Sequence, residues 1–334
     1  MIILVTGGAG YIGSHTCVEL LNNNHIVIVV DNLCNSSYDS IEKVMQITNK
    51  SLIFYQIDIR NEKELDKIFE NHSIDAVIHL AGLKAVGESV NIPQIYYENN
   101  IIGTLILTRI MEKYKCKNMI FSSSATVYGN PAFVPITEDC PKGICTNPYG
   151  WCKWIIEQIL TDLYNADNDW NIVILRYFNP IGAHKSGLIG ENSKGIPNNL
   201  VPYISKVAVG KLDYVRVFGN DYNTIDGTGV RDYIHIVDLS NGHLKALNIL
   251  NNNCGVKIYN LGTGKGYSVL QVIYAFEKAC GRSIPYKITE RRAGDIDICY
   301  CDPTKAHLEL DWVTKYDIDD MCRDAYNWES KTNQ

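Results

Sequence analysis

Tyr149 and Lys153 stand four residues apart, a spacing that puts both side chains on one face of a helix. A tyrosine hydroxyl has a pKa of about 10 and is a poor base at neutral pH, and each unit of lowering takes about 1.4 kcal/mol of preference for the phenolate. An ammonium beside the ring supplies part of that preference, and further positive charge held nearby adds to it. Upstream, the apolar run Met119-Ile120-Phe121 ends in Ser122-Ser123-Ser124. This reads as a strand delivering hydroxyls at its carboxyl end, where open α/β sheets bind ligands. A tyrosine, a lysine and a serine so placed are suited to moving a proton on and off an alcohol.

The elements that must position them are legible as well. Asn147-Pro148 supplies an N-cap and a first-turn proline for the helix that carries Tyr149 and Lys153. At the start of the chain, the apolar run Ile2-Ile3-Leu4-Val5 leads into Thr6-Gly7-Gly8-Ala9-Gly10-Tyr11-Ile12-Gly13, and a helical pattern follows at once. Gly8, Gly10 and Gly13 fit G-x-G-x-x-G, and Gly7, Gly10 and Gly13 fit G-x-x-G-x-x-G. A glycine turn opening onto a helix N-terminus offers unpaired N–H groups and partial positive charge to a pyrophosphate. A second strand, Ile26 to Val30, ends at Asp31, whose carboxylate can accept from a ribose 2′-hydroxyl and would repel a 2′-phosphate. NAD is therefore expected as the cofactor, and its nicotinamide would add positive charge beside Tyr149.

Between these motifs strands and helices alternate, which implies a parallel sheet wrapped on both faces. We expect strands at Leu52 to Ile57, Ala76 to Leu80 and Ile172 to Arg176. A helix capped by Asn61 and a long helix from about Pro93 to Tyr114 lie between them. His79, within Val77-Ile78-His79-Leu80, reads as a hydrogen-bonded core residue. The character changes near Asn179, where a glycine-rich stretch to Gly195 begins. Beyond it, Asn198-Asn199-Leu200 leads a helix, Tyr214 to Phe218 reads as a strand, and Gly227 to Tyr233 reads as a turn entering a strand at Ile234 to Val237. We expect an NAD-binding domain over residues 1–178 and a substrate-side domain over 179–334, with the strand near 234–237 as a segment that could return to the first. Arg291-Arg292-Ala293-Gly294-Asp295 sets two guanidiniums beside a carboxylate. With Arg231, Arg292 is the candidate clamp for a diphosphate, because guanidinium matches phosphate geometry bidentately.

Composition narrows the partners. The 334 residues carry a formal charge of −6 with no basic cluster, which argues against nucleic acid. No apolar run approaches the roughly 20 residues that span a bilayer, and the opening apolar stretch reads as a strand, not an export signal. Eleven cysteines without a C-x-x-C pair read as reduced thiols in the cytoplasm. The eight histidines form no H-E-x-x-H, so no metal is expected.

Taken together, Thr6 to Gly13, Ser122 to Gly129, Tyr149 with Lys153, Asp226 to His235, Asn198 to Leu200 and Arg291 to Asp295 resemble the UDP-glucose 4-epimerases of the extended short-chain dehydrogenase/reductase family. The resemblance covers essentially the whole chain. It implies a Rossmann doubly wound parallel sheet with a smaller mixed α/β C-terminal substrate domain, and a homodimer. It also implies tightly held NAD, contacted by Gly7, Gly10, Tyr11, Ile12, Gly13, Asp31-Asn32-Leu33-Cys34-Asn35-Ser36, Asp58, Ile59, Leu80-Ala81-Gly82, Lys84, Asn99, Ser122, Ser124, Tyr149, Lys153, Tyr177 and Phe178. Around the nucleotide sugar it places Asn179, Asn199, Leu200, Arg216-Val217-Phe218, Arg231, Tyr233, Arg292, Asp295 and Cys299.

The implied reaction is interconversion of UDP-galactose and UDP-glucose by transient oxidation at C4, with Tyr149 as base, Lys153 supporting it and Ser124 bridging. A small Cys299 extends the expected substrates to the N-acetylated pair, UDP-GalNAc and UDP-GlcNAc. Three other functions stay in view: a nucleotide-sugar 4,6-dehydratase, which would place acids where this chain has Ala125 and Thr126, a net dehydrogenase, and a non-enzymatic NAD-dependent sensor, which could dispense with the Tyr/Lys pair.

Overall fold

The computed structural model describes residues 1–332 apart from 193, 194, 196, 198, 251 and 293. Asn198 and Ala293, quoted above within two motifs, lie outside the described residues. The first half runs β1 (Ile2–Thr6), α1 (Tyr11–Asn22), β2 (Ile26–Val30), α2 (Tyr38–Thr48), β3 (Ile53–Tyr55), α3 (Glu62–Asn71) and β4 (Ala76–His79). It continues through α4 (Val86–Asn91), α5 (Pro93–Tyr97), α6 (Gly103–Lys113), β5 (Asn118–Ser124), α7 (Pro148–Ala166) and β6 (Asn171–Tyr177). The second half adds β7 (Asn179–Ile181), α8 (Leu200–Ala208), β8 (Val215–Phe218), β9 (Val230–His235), α9 (Ile236–Leu250) and β10 (Val256–Leu261). The last elements are β11 (Gly266–Ser268), α10 (Val269–Cys280), β12 (Tyr286–Thr289), β13 (Ile298–Cys299), α11 (Thr304–Leu310) and α12 (Ile318–Lys331).

Seven strands form one parallel sheet in the order β10-β6-β5-β4-β1-β2-β3. Alternation along β1 sends Ile3 and Val5 to one face and Leu4 to the other, and each face is sealed by its own apolar cluster. On the first face Val18, Leu21, Ile41, Val44, Leu239 and Leu247 come from α1, α2 and α9. The second takes Leu65, Ile68, Leu107, Met111, Ile156 and Leu160 from α3, α6 and α7. This is the expected doubly wound α/β fold. A third cluster, with Val201, Ile204, Val217, Val272, Phe276 and Met321, holds α8, α10 and α12 around the short strand pair β8 and β12.

Five local expectations shift. The strand expected at Leu52 to Ile57 is confined to Ile53–Tyr55. The long helix is broken by a π-helical turn over Glu98–Ile102 and preceded by the separate α4. Arg231, Asp232 and Tyr233 lie on a strand and not in a turn: β9 begins at Val230, whose N–H donates to the Asp297 carbonyl, and it pairs with β7, β11 and β13. Val237 is helical, because the His235 ring accepts the Val237 N–H at 3.1 Å and so starts α9. The strand that returns to the large sheet is β10, paired with β6 from Val256–Ile172 to Leu261–Tyr177.

Candidate active site

The glycine turn works by excluding side chains. A methyl group on Gly13 would lie 2.2 Å from the Gly7 carbonyl oxygen, and Gly7 itself has φ +72° with Ala81 N 2.7 Å from where its Cβ would stand. The turn therefore packs directly against the end of β4, and Gly10 stands at the N-cap of α1, which has no side-chain cap. First-turn N–H groups of α1 are thus left without side-chain acceptors, as a pyrophosphate site requires. Asp31, at the end of β2, accepts from Ala9 N, Leu33 N and the Ser36 hydroxyl at 3.0, 2.9 and 2.8 Å. Asn32 donates to Asp58 at 2.9 Å, and the Arg60 guanidinium holds the Asp58 carboxyl well below the usual range. Ile59 is buried. These residues fit a bound NAD: a backbone cradle for phosphate, then a carboxylate at the ribose end of the sheet.

At the end of β4, Leu80 N and Ala81 N are tied to Thr6. Leu83, between Gly82 and Lys84, is held by a residue that sequence reasoning missed. Asn100, buried in the π-helical turn beside half-buried Asn99, accepts from Leu83 N at 2.8 Å and donates to Leu83 O at 3.0 Å. Lys84 reaches Glu191 at 2.9 Å, and Glu191 also takes a hydrogen bond from Asn199 at 3.1 Å. One carboxylate thus links the cofactor-side loop to the residue that caps α8. His79 is a satisfied core histidine, bonded to Thr6 and Thr104 at 2.8 Å on its two sides.

The helix α7 starts as expected, with the Asn147 side chain accepting from Gly150 N at 2.8 Å. Lys153 is buried and donates to the Ser122 carbonyl at 2.5 Å, with its ammonium 5.8 Å from the Tyr149 ring centre. Burial lowers Lys153 to about 8. Burial also pushes the Tyr149 phenol up to about 12, partly offset by a hydrogen bond with Ser124. In the protein alone the phenol is therefore neutral at pH 7, and it needs added positive charge to act as a base. Tyr177 is buried with its hydroxyl on His243, while Phe178, also buried, donates its N–H to Leu261.

The substrate-side candidates gather on the small sheets. Asn179 pairs with Tyr233 between β7 and β9, and Cys299 pairs with Arg231 between β13 and β9. Asp295 lies 3.7 Å from Arg231 and 3.2 Å from Arg292, and the Arg292 guanidinium stands 4.6 Å from the Phe218 ring centre. Two guanidiniums thus share one carboxylate, the charge pattern of an anion clamp. A methyl group on Gly294 would lie 3.8 Å from Thr146, which places this arginine loop against the start of α7. Arg216 is exposed on β8 and Val217 points into the core, so Val217 can offer a ligand only its backbone.

The family model for GDP-mannose 4,6 dehydratase matches residues 4–325. UDP-glucose 4-epimerase of Bacillus subtilis is 58% identical over 330 residues, covering 99% of this chain and 97% of its own. The chain belongs to the UDP-glucose 4-epimerase family. The Haemophilus influenzae UDP-glucose 4-epimerase is 60% identical over 98% of this chain and 97% of its own. Among solved structures, UDP-glucose 4-epimerase from Bifidobacterium longum in complex with NAD+ and UDP superimposes with a TM-score of 0.97, at 56% identity, over 100% of this chain and 99% of its own.

Proposed function

We propose that this chain interconverts UDP-galactose and UDP-glucose, using a bound NAD, and that Tyr149, Lys153 and Ser124 carry the proton chemistry. The observation that carries the reading is the convergence of Tyr149, Lys153 and Ser124 at the carboxyl end of the parallel sheet that also bears the glycine turn. NAD held by the glycine turn and Asp31 would supply a hydride acceptor for C4 of the sugar and a donor for the hydride's return to the opposite face. Tyr149 takes the proton of the 4-hydroxyl, bridged by Ser124, and later gives it back; Lys153 supplies the fixed positive charge that favours the phenolate. Arg231 and Arg292 hold the diphosphate while the hexose turns. Residues 1–178 would bear most NAD contacts and residues 179–334 the nucleotide-sugar contacts. Ala125 and Thr126 continue directly from Ser124 in a 3₁₀ turn. Neither can exchange the proton that elimination across C5 and C6 requires, which favours epimerisation over dehydration.

The decisive experiment is incubation of the purified protein with UDP-galactose and no added nicotinamide cofactor, followed by separation of the sugars. UDP-glucose should accumulate until both are present; unchanged UDP-galactose would overturn the reading.

The N-acetylated pair belongs to the same proposal. Cys299 is small and stands beside Arg231, so a 2-acetamido group has room that a phenol ring in a close-packed wall could not yield. The wild type should interconvert UDP-GlcNAc and UDP-GalNAc, and Cys299→Tyr should lose that reaction while keeping the glucose pair. A variant that retains it would show that this wall does not gate the sugar. A cytoplasmic homodimer completes the reading, in keeping with eleven free cysteines and with Ile95, Ile102 and Leu105, which are 40–47% exposed on α5, the π turn and α6. Among the described residues no helix is long and apolar enough to cross a membrane. Sedimentation at the mass of one chain would remove the dimer.

A further inference from the structure

A buried polar network lies directly beneath the site, and the proton and hydride steps leave it unused. Its centre is Glu157, on α7 one turn after Lys153 and only 1% exposed. Arg176 of β6 grips it in two places, Nε to Oε1 at 3.0 Å and a terminal nitrogen to Oε2 at 2.8 Å. The Ser123 hydroxyl donates to Oε1 at 2.5 Å, and the Lys142 ammonium stands 3.2 Å from Oε2. Arg176 goes on to donate to the Tyr128 hydroxyl at 2.8 Å, and Tyr128 donates to Asn260 at 2.7 Å.

Two polar ties therefore join α7 to the end of β5. Lys153 donates to the Ser122 carbonyl, and Ser123 donates to Glu157. The ties are adjacent on the strand and one turn apart on the helix, so together they fix both the rise and the rotation of α7 against the strand that carries Ser124. A slip of α7 by one residue, about 1.5 Å, would break both.

The same arrangement governs charge. Facing Lys153 are Tyr149, Cys152 and Glu157 of its own helix, His79 of β4, and the Phe121 ring and Ser122 carbonyl of β5. Behind Glu157 stand Arg176 and Lys142. Glu157 is the carboxylate of that set. Burial opposes its ionisation, but Arg176, Lys142 and Ser123 hold its carboxyl below the usual range, while its charge works against the burial that strips Lys153 of a proton.

The geometry points to Glu157 as a positioning residue for the Tyr149/Lys153 pair: it locks their helix onto the Ser124 strand and keeps Lys153 charged beside the phenol. This inference rests on the epimerase reading, and the native holoenzyme tests that reading separately, since a native protein that does not epimerise fails it before any variant is made. In Glu157→Gln, bound NAD and the KM for UDP-galactose should stay as in the native protein while kcat falls by about tenfold or more, the scale of one pKa unit. The limb on which kcat declines with rising pH should also move to lower pH, because Lys153 then gives up its proton more easily. Ser123→Ala removes one tie but no charge, so kcat should fall without any movement of that limb. If Arg176 left unpaired prevents Glu157→Gln from folding, the double variant E157Q/R176M removes both charges and should shift the limb in the same direction by less, because the lost guanidinium, farther from Lys153 than the carboxylate, offsets part of the change. An unmoved alkaline limb in whichever Glu157 variant folds, or a kcat within about twofold of native, would overturn the inference, as would a shifted limb in Ser123→Ala.

Discussion

At the scale of single residues the site is poised but not yet active. Burial holds the Tyr149 phenol at about 12 and Lys153 at about 8, so the Lys153 charge alone does not make the phenolate and a bound nicotinamide would add to it. Tyr149→Phe removes the proton acceptor and little shape. It should keep bound NAD and lose ~100- to 10,000-fold in kcat, the usual worth of a placed acid or base; turnover near native would take the role from Tyr149. Arg292 is half exposed, shares Asp295 with Arg231 and rests on Phe218. Arg292→Ala should weaken UDP and UDP-sugars by the same factor, because the lost contact is to the diphosphate and not to the hexose. Calorimetry with UDP alone reads this directly, and unchanged affinity would place the clamp elsewhere.

At the scale of elements, what could be read in advance was what neighbours in sequence decide. The β1 turn into α1, the Asn61 and Asn147 caps and the serine-bearing end of β5 all rest on residues within a few positions of one another. What could not be read depends on partners far along the chain. Val230 to Asp232 look like loop until β11 and β13 close on them, and Arg176 looks out of place in an apolar strand until Glu157 is brought to it from α7. The π-helical turn is invisible to a period of 3.6, yet it carries Asn100, which binds both polar groups of the Leu83 backbone. Asn100→Ala would remove both hydrogen bonds to the part-buried Leu83 backbone, at about 0.5–1.5 kcal/mol each, and loosen the loop from Gly82 to Lys84. The variant should release NAD faster than the native protein in a dilution assay, and equal retention would show that Asn100 supports stability alone.

At the scale of the whole molecule, the core contains ionisable groups that must stay neutral. His15 and His79 are held at about 3 and His243 at about 4, mainly by burial. Unfolded, each binds a proton near pH 6.5; folded, each refuses it until far lower pH. The unfolded chain thus holds more protons below about pH 6.5, and stability falls as pH drops from there toward 4, by up to ~1.4 kcal/mol per unit for each histidine. Urea midpoints should be level above pH 7 and lower at pH 5; an unchanged midpoint would mean that these rings ionise inside the fold. The return of β10 to the far edge of the large sheet has a consequence for how the chain is made. A ribosome that has released β6 has delivered six of the seven strands, but β6 still shows an unpaired edge, and α9, which covers part of one sheet face, has not been synthesised. At ~5–20 residues per second, the nascent chain carries that open edge for several seconds before Val256 to Leu261 emerge. During that interval it is exposed to strand exchange with neighbouring nascent chains and to chaperone capture. A translational pause before codon 256 should therefore lower the soluble yield more than an equal pause placed far enough after codon 261 for β10 to have left the ribosome.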